Sequence, residues 1–106
     1  MNDSIPKEVK EYFKKGPRQI KKVWTKQPYT IFAEFDDGVV KFSDLTDDLT
    51  GIMDILKNYD IFKTVTIDEN GCIAWNTNNG HIDISKDNIY IYGKTLKYEQ
   101  PAILHN

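Results

Sequence analysis

Hydrophobic and polar positions along the chain mark out a series of short elements. Ile5, Val9, Tyr12 and Phe13 recur at i, i+4, i+7 and i+8, one apolar stripe of a helix over residues 5–15. Ser4 suits its N-cap, Pro6 its first turn, and Gly16 followed by Pro17 its end. Residues 19–26, QIKKVWTK, read as a lysine-rich strand through Ile20, Val23 and Trp24, stopped by Pro28. Residues 29–35, YTIFAEF, read as a stronger strand because aromatic and β-branched side chains suit a pleated, half-buried surface.

The stretch FDDGVVKFSDL then poses a question: do Asp36, Asp37 and Asp44 form a site, or do they shape a turn? A two-residue Asp37-Gly38 turn, the usual chemistry for positive φ, sets Phe35 opposite Val40, Ala33 opposite Phe42 and Glu34 opposite Lys41. The pattern therefore predicts a hairpin, with Asp44 capping the turn that follows. Leu49, Ile52, Met53 and Leu56 lie at helical spacing within residues 47–59, weakened early by Gly51. A second hairpin joins residues 64–68 to CIAW. Here a three-residue loop with Gly71 in the left-handed region sets Val65 opposite Trp75 and Ile67 opposite Ile73. Residues 76–80 form a turn-rich loop, Ile82 and Ile84 a short strand, and Ser85 either caps a helical turn reaching Tyr90 or interrupts a continuing strand. The expected core holds Trp24, Phe35, Phe42, Phe62 and Trp75.

These elements predict an α+β fold: an antiparallel sheet of two β-hairpins plus an edge strand, packed with short helices, behind an N-terminal helix. At 106 residues the chain is expected to be a single domain over residues 1–106, with a helix in 1–16, a core in 17–92 and a tail in 93–106 that is ordered only if it docks. Its single cysteine, Cys72, permits no internal disulfide and suits a reducing, cytoplasmic setting. No apolar leader is visible at the start, and no apolar run nears the ~20 residues of a membrane span.

The net charge of −2 hides a segregation. Residues 1–27 carry eight Lys/Arg against three acids, a net +5, and residues 28–69 carry three Lys against ten acids, a net −7. Segregated charge can steer association. A candidate interaction surface therefore comprises Lys21, Lys22 and Lys26 on the basic side and Asp47, Asp48 and Asp54 on the acidic side.

The order of features resembles a known family. An apolar strand ending in Phe35, the Asp37-Gly38 turn, Asp44-Leu45, a short helix, Phe62, a strand over residues 65–68, a turn at Gly71, Trp75, Ile82-Asp83-Ile84 and Tyr90 resemble the bacterial domain-of-unknown-function 2442 family over roughly residues 17–92. The resemblance implies a small α+β fold with an antiparallel sheet and no established enzymatic activity. Some members of that family are fused to a helix-turn-helix domain. Others stand alone beside a second small protein, an arrangement like that of toxin–antitoxin pairs. The chain departs from the family where Asn76 to Gly80 replaces a Pro-Asn-Gly loop. Too few residues follow Tyr92 for a helix-turn-helix, so the DNA-binding role is not implied.

Catalytic chemistry finds little footing. Cys72 with His81 and Asp83 is the one conceivable nucleophile set, but Cys72 opens a strand, where cysteine acts as a small hydrophobe. One Cys with His81 and His105 does not make a zinc finger, Asp36-Asp37 and Asp47-Asp48 lack the alternating spacing of a calcium loop, and no glycine-rich phosphate loop occurs. No catalytic, cofactor or metal residue is assigned. The expectation is a protein–protein interaction or regulatory module of the antitoxin kind, binding a protein partner or a second copy. TVTID, uncharged except at its end, offers an edge for strand pairing. The alternative is a nucleic-acid accessory protein, in which Trp24 stands exposed among Arg18, Lys21, Lys22 and Lys26.

Overall fold

The computed structural model describes residues 16–97, together with residues 7, 9, 10 and 14. The helix expected over residues 5–15 falls largely outside the described residues, as does the tail beyond residue 97. The described chain is α+β, but it forms two antiparallel sheets rather than one. The first joins β1 (Ile20–Lys26), β2 (Thr30–Phe35), β3 (Val40–Asp44) and β7 (Lys94–Thr95) in the order β1-β2-β3-β7. The second joins β4 (Thr66–Ile67), β5 (Ile73–Thr77) and β6 (Gly80–Ile84) in sequence order. Two short α-helices, α1 (Tyr59–Phe62) and α2 (Lys86–Tyr92), and two 3₁₀ segments, Thr46–Asp48 and Gly51–Lys57, complete the elements described.

The first hairpin is shifted one residue from the expected register. Phe32 pairs with Phe42, Ala33 with Lys41 and Glu34 with Val40. The reason lies in the turn. Gly38 takes φ +86, its N–H bonds the Phe35 carbonyl, and the Phe35 N–H bonds the Val39 carbonyl. The loop is therefore Asp36-Asp37-Gly38, a tight turn closed by a left-handed glycine. Asp37 Oδ1 reinforces it by accepting the Val39 N–H at 3.0 Å. The second hairpin has the same plan and matches its expected register: Ile67 pairs with Ile73, and Gly71 takes φ +80.

The β2–β3 shift moves Phe42, and the β1–β2 pairing places Trp24. Because faces alternate along a strand, Ile31, Ala33 and Phe35 enter the core, whereas Phe32 and its partners Trp24 and Phe42 share the opposite face. Trp24 and Phe42 thus leave the predicted core; Phe35, Phe62 and Trp75 occupy it fully. Trp75 ties the layers together. Its ring stacks on Phe62 at 5.6 Å, and its indole N–H donates 2.7 Å to the Phe62 carbonyl, one of the carbonyls that α1 leaves without an internal partner.

The helix expected over residues 47–59 is broken. Gly51 at φ +59 is outside the right-handed helical region, so the chain makes two 3₁₀ segments and then α1. Leu49 and Leu56 still reach the core, but Ile52 is 66% exposed. Asp44 is not the N-cap expected: Leu45 holds that place without a side-chain bond, and Asp44 lies one residue earlier, where its Oδ1 accepts the Thr46 N–H at 2.9 Å and the Thr46 hydroxyl. Ser85 starts α2 by accepting the Asp87 N–H, which resolves the strand alternative. The first part of the tail docks, since Lys94 and Thr95 pair with Phe42 and Lys41. The expected TVTID edge shrinks to Thr66–Ile67, which packs beside β1.

Replacing Trp75 by Phe leaves the Phe62 carbonyl without its donor, and the expected cost is about 2 kcal/mol in urea unfolding with an unchanged slope. Trp24→Phe, on the open face, is expected to stay within about 0.5 kcal/mol. Equal costs at the two positions would contradict the assignment of core and open face.

Candidate functional site

The face of the four-stranded sheet turned away from the core, uncovered among the described residues, is built by alternation alone. Lys22, Trp24 and Lys26 project from β1, Phe32 and Glu34 from β2, Phe42 and Asp44 from β3, and Lys94 from β7. The three rings form a ladder across the strands. Trp24 and Phe32 lie 5.4 Å apart and nearly parallel at 4°, and Phe32 and Phe42 lie 5.6 Å apart at 28°. Trp24 is 37% exposed, and Phe32 and Phe42 are half-buried. Three rings in contact on a face turned away from the core make a contiguous apolar patch and so a candidate binding surface.

Charges flank the ladder in matched pairs. Lys22 stands opposite Glu34 in the register, and the Lys94 charge acts on Asp44. Asp44 is held below the usual carboxylate range, chiefly by the Thr46 hydroxyl and N–H, with a smaller contribution from Lys94. An apolar centre inside a rim of both charge signs resembles the anatomy of a protein interface. A polyanion would meet carboxylates as well as lysines here.

Of the sequence-predicted surface, Lys21, Lys22 and Lys26 are exposed on β1, with Lys22 and Lys26 on the aromatic face and Lys21 at an irregularity in the β1–β2 pairing. Asp47 and Asp48 are exposed in the first 3₁₀ segment. Asp54 is exposed in the second, where it pairs with Lys57 at 3.0 Å. The structure thus keeps the basic and acidic sets on different elements. Sequence reasoning missed the ladder itself. The signal was present in the spacing of Phe32, Phe42 and Trp24, but the hairpin register decides on which face they meet.

The aspartates of the opening turn are structural. Asp37 Oδ2 accepts the Tyr90 hydroxyl at 2.6 Å, tying α2 to the hairpin, while the Arg18 guanidinium lies 3.9 Å from both Asp36 and Asp37. Lys41, turned inward by the register shift, lies 5.3 Å over the Tyr90 ring and donates to Thr95. Burial pushes Asp37 up, but the Tyr90 hydrogen bond, the Val39 N–H and the Arg18 charge outweigh it and hold the carboxyl below its ordinary value. Burial and Asp37 together push the Tyr90 phenol up to about 12.

His81 and Asp83 do come together, but with Asp68 rather than with the Cys72 thiol. His81 Nε2 lies 3.1 Å from Asp68 Oδ2 and 3.4 Å from Asp83 Oδ2, and Nδ1 lies 2.8 Å from Asn76 Oδ1. Cys72 contributes its backbone N–H to Asp68 Oδ1. That bond is the largest cause lowering the Asp68 pKa; burial opposes it, and the Asn70 N–H and His81 add to it. Among the described residues no helix is long and apolar enough to cross a membrane. Comparison with protein-family models, curated proteins and solved structures finds no match for this chain.

Tyr90→Phe is expected to cost about 1 kcal/mol at neutral pH. Asp37, with its lowered pKa, contributes stability above the ordinary value of 3.8 that is lost as pH falls through the lower folded value. Tyr90, with its raised pKa, contributes stability below pH 10 that is lost as pH rises through about 12. Urea titrations of both proteins should therefore converge at either extreme, and a cost that stays constant down to about pH 3 would rule out the Asp37–Tyr90 bond as its source.

Proposed function

We propose that this chain is a protein-binding module and that it docks its partner on the face of the four-stranded sheet that the described residues leave uncovered. The observation that carries the reading is the Trp24–Phe32–Phe42 ladder. Trp, Tyr and Arg dominate interface energetics, and a ring already stacked on its neighbour loses little freedom on binding. The rim pairs, Lys22 with Glu34 and Lys94 near Asp44, set orientation more than affinity. The partner is a protein that presents an apolar anchor inside a polar rim of its own.

A second reading draws on one observation, that Trp24 stands exposed between Lys22 and Lys26 on one strand. Single-stranded nucleic acid can stack on such a ring and place its phosphates by the lysines. The carboxylates of Glu34 and Asp44 on the same face, and the acidic chain as a whole, weigh against it.

The test is an affinity capture from the native lysate with the wild-type chain, Trp24→Ala and Asp47→Asn/Asp48→Asn, at moderate and high salt. The expected result is one stoichiometric protein that survives high salt, is retained by the double aspartate variant and is weakened about thirty-fold by Trp24→Ala. An eluate that holds only the bait, or a partner indifferent to Trp24, would overturn the reading. In parallel, a fluorescent oligonucleotide that binds the wild type with steep salt dependence, and fails with Trp24→Ala, would transfer the face to nucleic acid.

A further inference from the structure

The second sheet carries a feature independent of the aromatic face. Its outward side is lined by residues that alternate with the core set. Ile73 and Trp75 of β5, with Ile82 of β6, are buried; Asn76, His81 and Asp83 point the other way. Asp68 joins them from the turn that follows β4. Together they edge an open cleft of about 500 Å³, with Thr66 and Glu69 on its margin.

Asp68 and His81 are each oriented by bonds that leave one atom directed at a common point. Asp68 Oδ1 is held by the N–H groups of Asn70 and Cys72, both at 2.9 Å, so Oδ2 faces the cleft. Asn76 and His81 are direct cross-strand partners, and Asn76 Oδ1 lies 2.8 Å from Nδ1. With the proton on Nδ1 donated to that oxygen, the lone pair of Nε2 faces the two carboxylates. Asp83 follows His81 by two residues and so shares its side of the strand. The three ligand atoms lie within 4.8 Å of one another.

A neutral imidazole lone pair facing two carboxylate oxygens at 3.1 and 3.4 Å needs a cation between them. A proton on Nε2 is one solution. A divalent ion is the other, and the spacing suits it: bonds of about 2.0–2.1 Å in a tetrahedron place neighbouring ligand atoms about 3.3 Å apart. A hydrogen bond on the remote imidazole nitrogen is the usual support of a metal-bound histidine. One imidazole with two carboxylates suits a first-row ion of the zinc or manganese type more than calcium.

We propose that Asp68, His81 and Asp83 form a three-ligand site for a divalent transition-metal ion, with Asn76 as the positioning residue behind His81 and the open side of the cleft leaving a coordination position for water or a partner's ligand. The site does not depend on the aromatic face; either can fail without the other.

The experiment is calorimetric titration of the full chain with zinc chloride, and separately with manganese chloride, at about pH 7.5, paired with thermal melts. The expected result is one saturable ion per chain and a higher melting temperature in its presence. His81→Gln and Asp83→Asn should each weaken binding more than ten-fold, and Asn76→Ala about ten-fold. Near-ultraviolet circular dichroism of each apo variant should match the wild type, since His81 and Asp83 are exposed. Absence of saturable binding of either ion up to about 1 mM, or unchanged affinity in both His81→Gln and Asp83→Asn, would overturn the proposal.

Discussion

The turn at Asp36-Asp37-Gly38 governs more of this molecule than any other local feature. Gly38 adopts φ +86, and the two backbone bonds between Phe35 and the far side of the loop lock Phe42 opposite Phe32. Side chains alternate with a period of two, so this single registration assigns every residue of β3 to a face. Phe42 goes outward to extend a ladder begun by Trp24, and Lys41 goes inward, where it lies over Tyr90. The inward lysine is tolerated because it keeps a hydroxyl partner in Thr95 and a ring beneath it.

The core beneath depends on a second contact, between the layers. Phe62 ends α1, and Trp75 sits mid-strand in the other sheet. Their stacking and the indole-to-carbonyl bond join the second sheet to α1, and Tyr29, just before β2, meets Phe62 edge-on. The Tyr29 hydroxyl bonds the Lys57 carbonyl, and Thr25 bonds the Tyr59 hydroxyl. Polar tips at the ends of large apolar side chains thus let the short helical segments settle against the first sheet without leaving orphaned buried side-chain groups among the described residues.

The two sheets offer different chemistry for the same geometric reason. Each hides its apolar set on one side and presents what remains on the other. On the first sheet the remainder is aromatic, with charges of both signs around it. On the second it is a histidine with two carboxylates and an amide, suited to an ion. The paired hairpin turns take part in both. Asp37 anchors α2 through Tyr90, and Asp68, at the start of the second turn, aims one oxygen into the cleft.

The α+β character, the places of the strands before β7, the second hairpin's register and the buried places of Phe35, Phe62 and Trp75 were legible in the residues, because they follow from local periodicity and size; Ser85 was legible as a cap only beside a strand alternative. The aromatic ladder was not, since Phe42 scores equally well as core or surface until a loop length is chosen, and Asp37-Gly38 permits two. The triad was half legible: His81 and Asp83 share a side of any strand, but Asp68 is thirteen residues from His81 and reaches it only when β4, β5 and β6 are paired. The division of the strands into two sheets was likewise not legible, since it rests on which distant strands pair. Local sequence determines which residues can turn, pair or cap. Which face meets the core, and which distant side chains converge, depends on tertiary pairing, because a one-residue shift costs little locally and reverses every side chain of a strand.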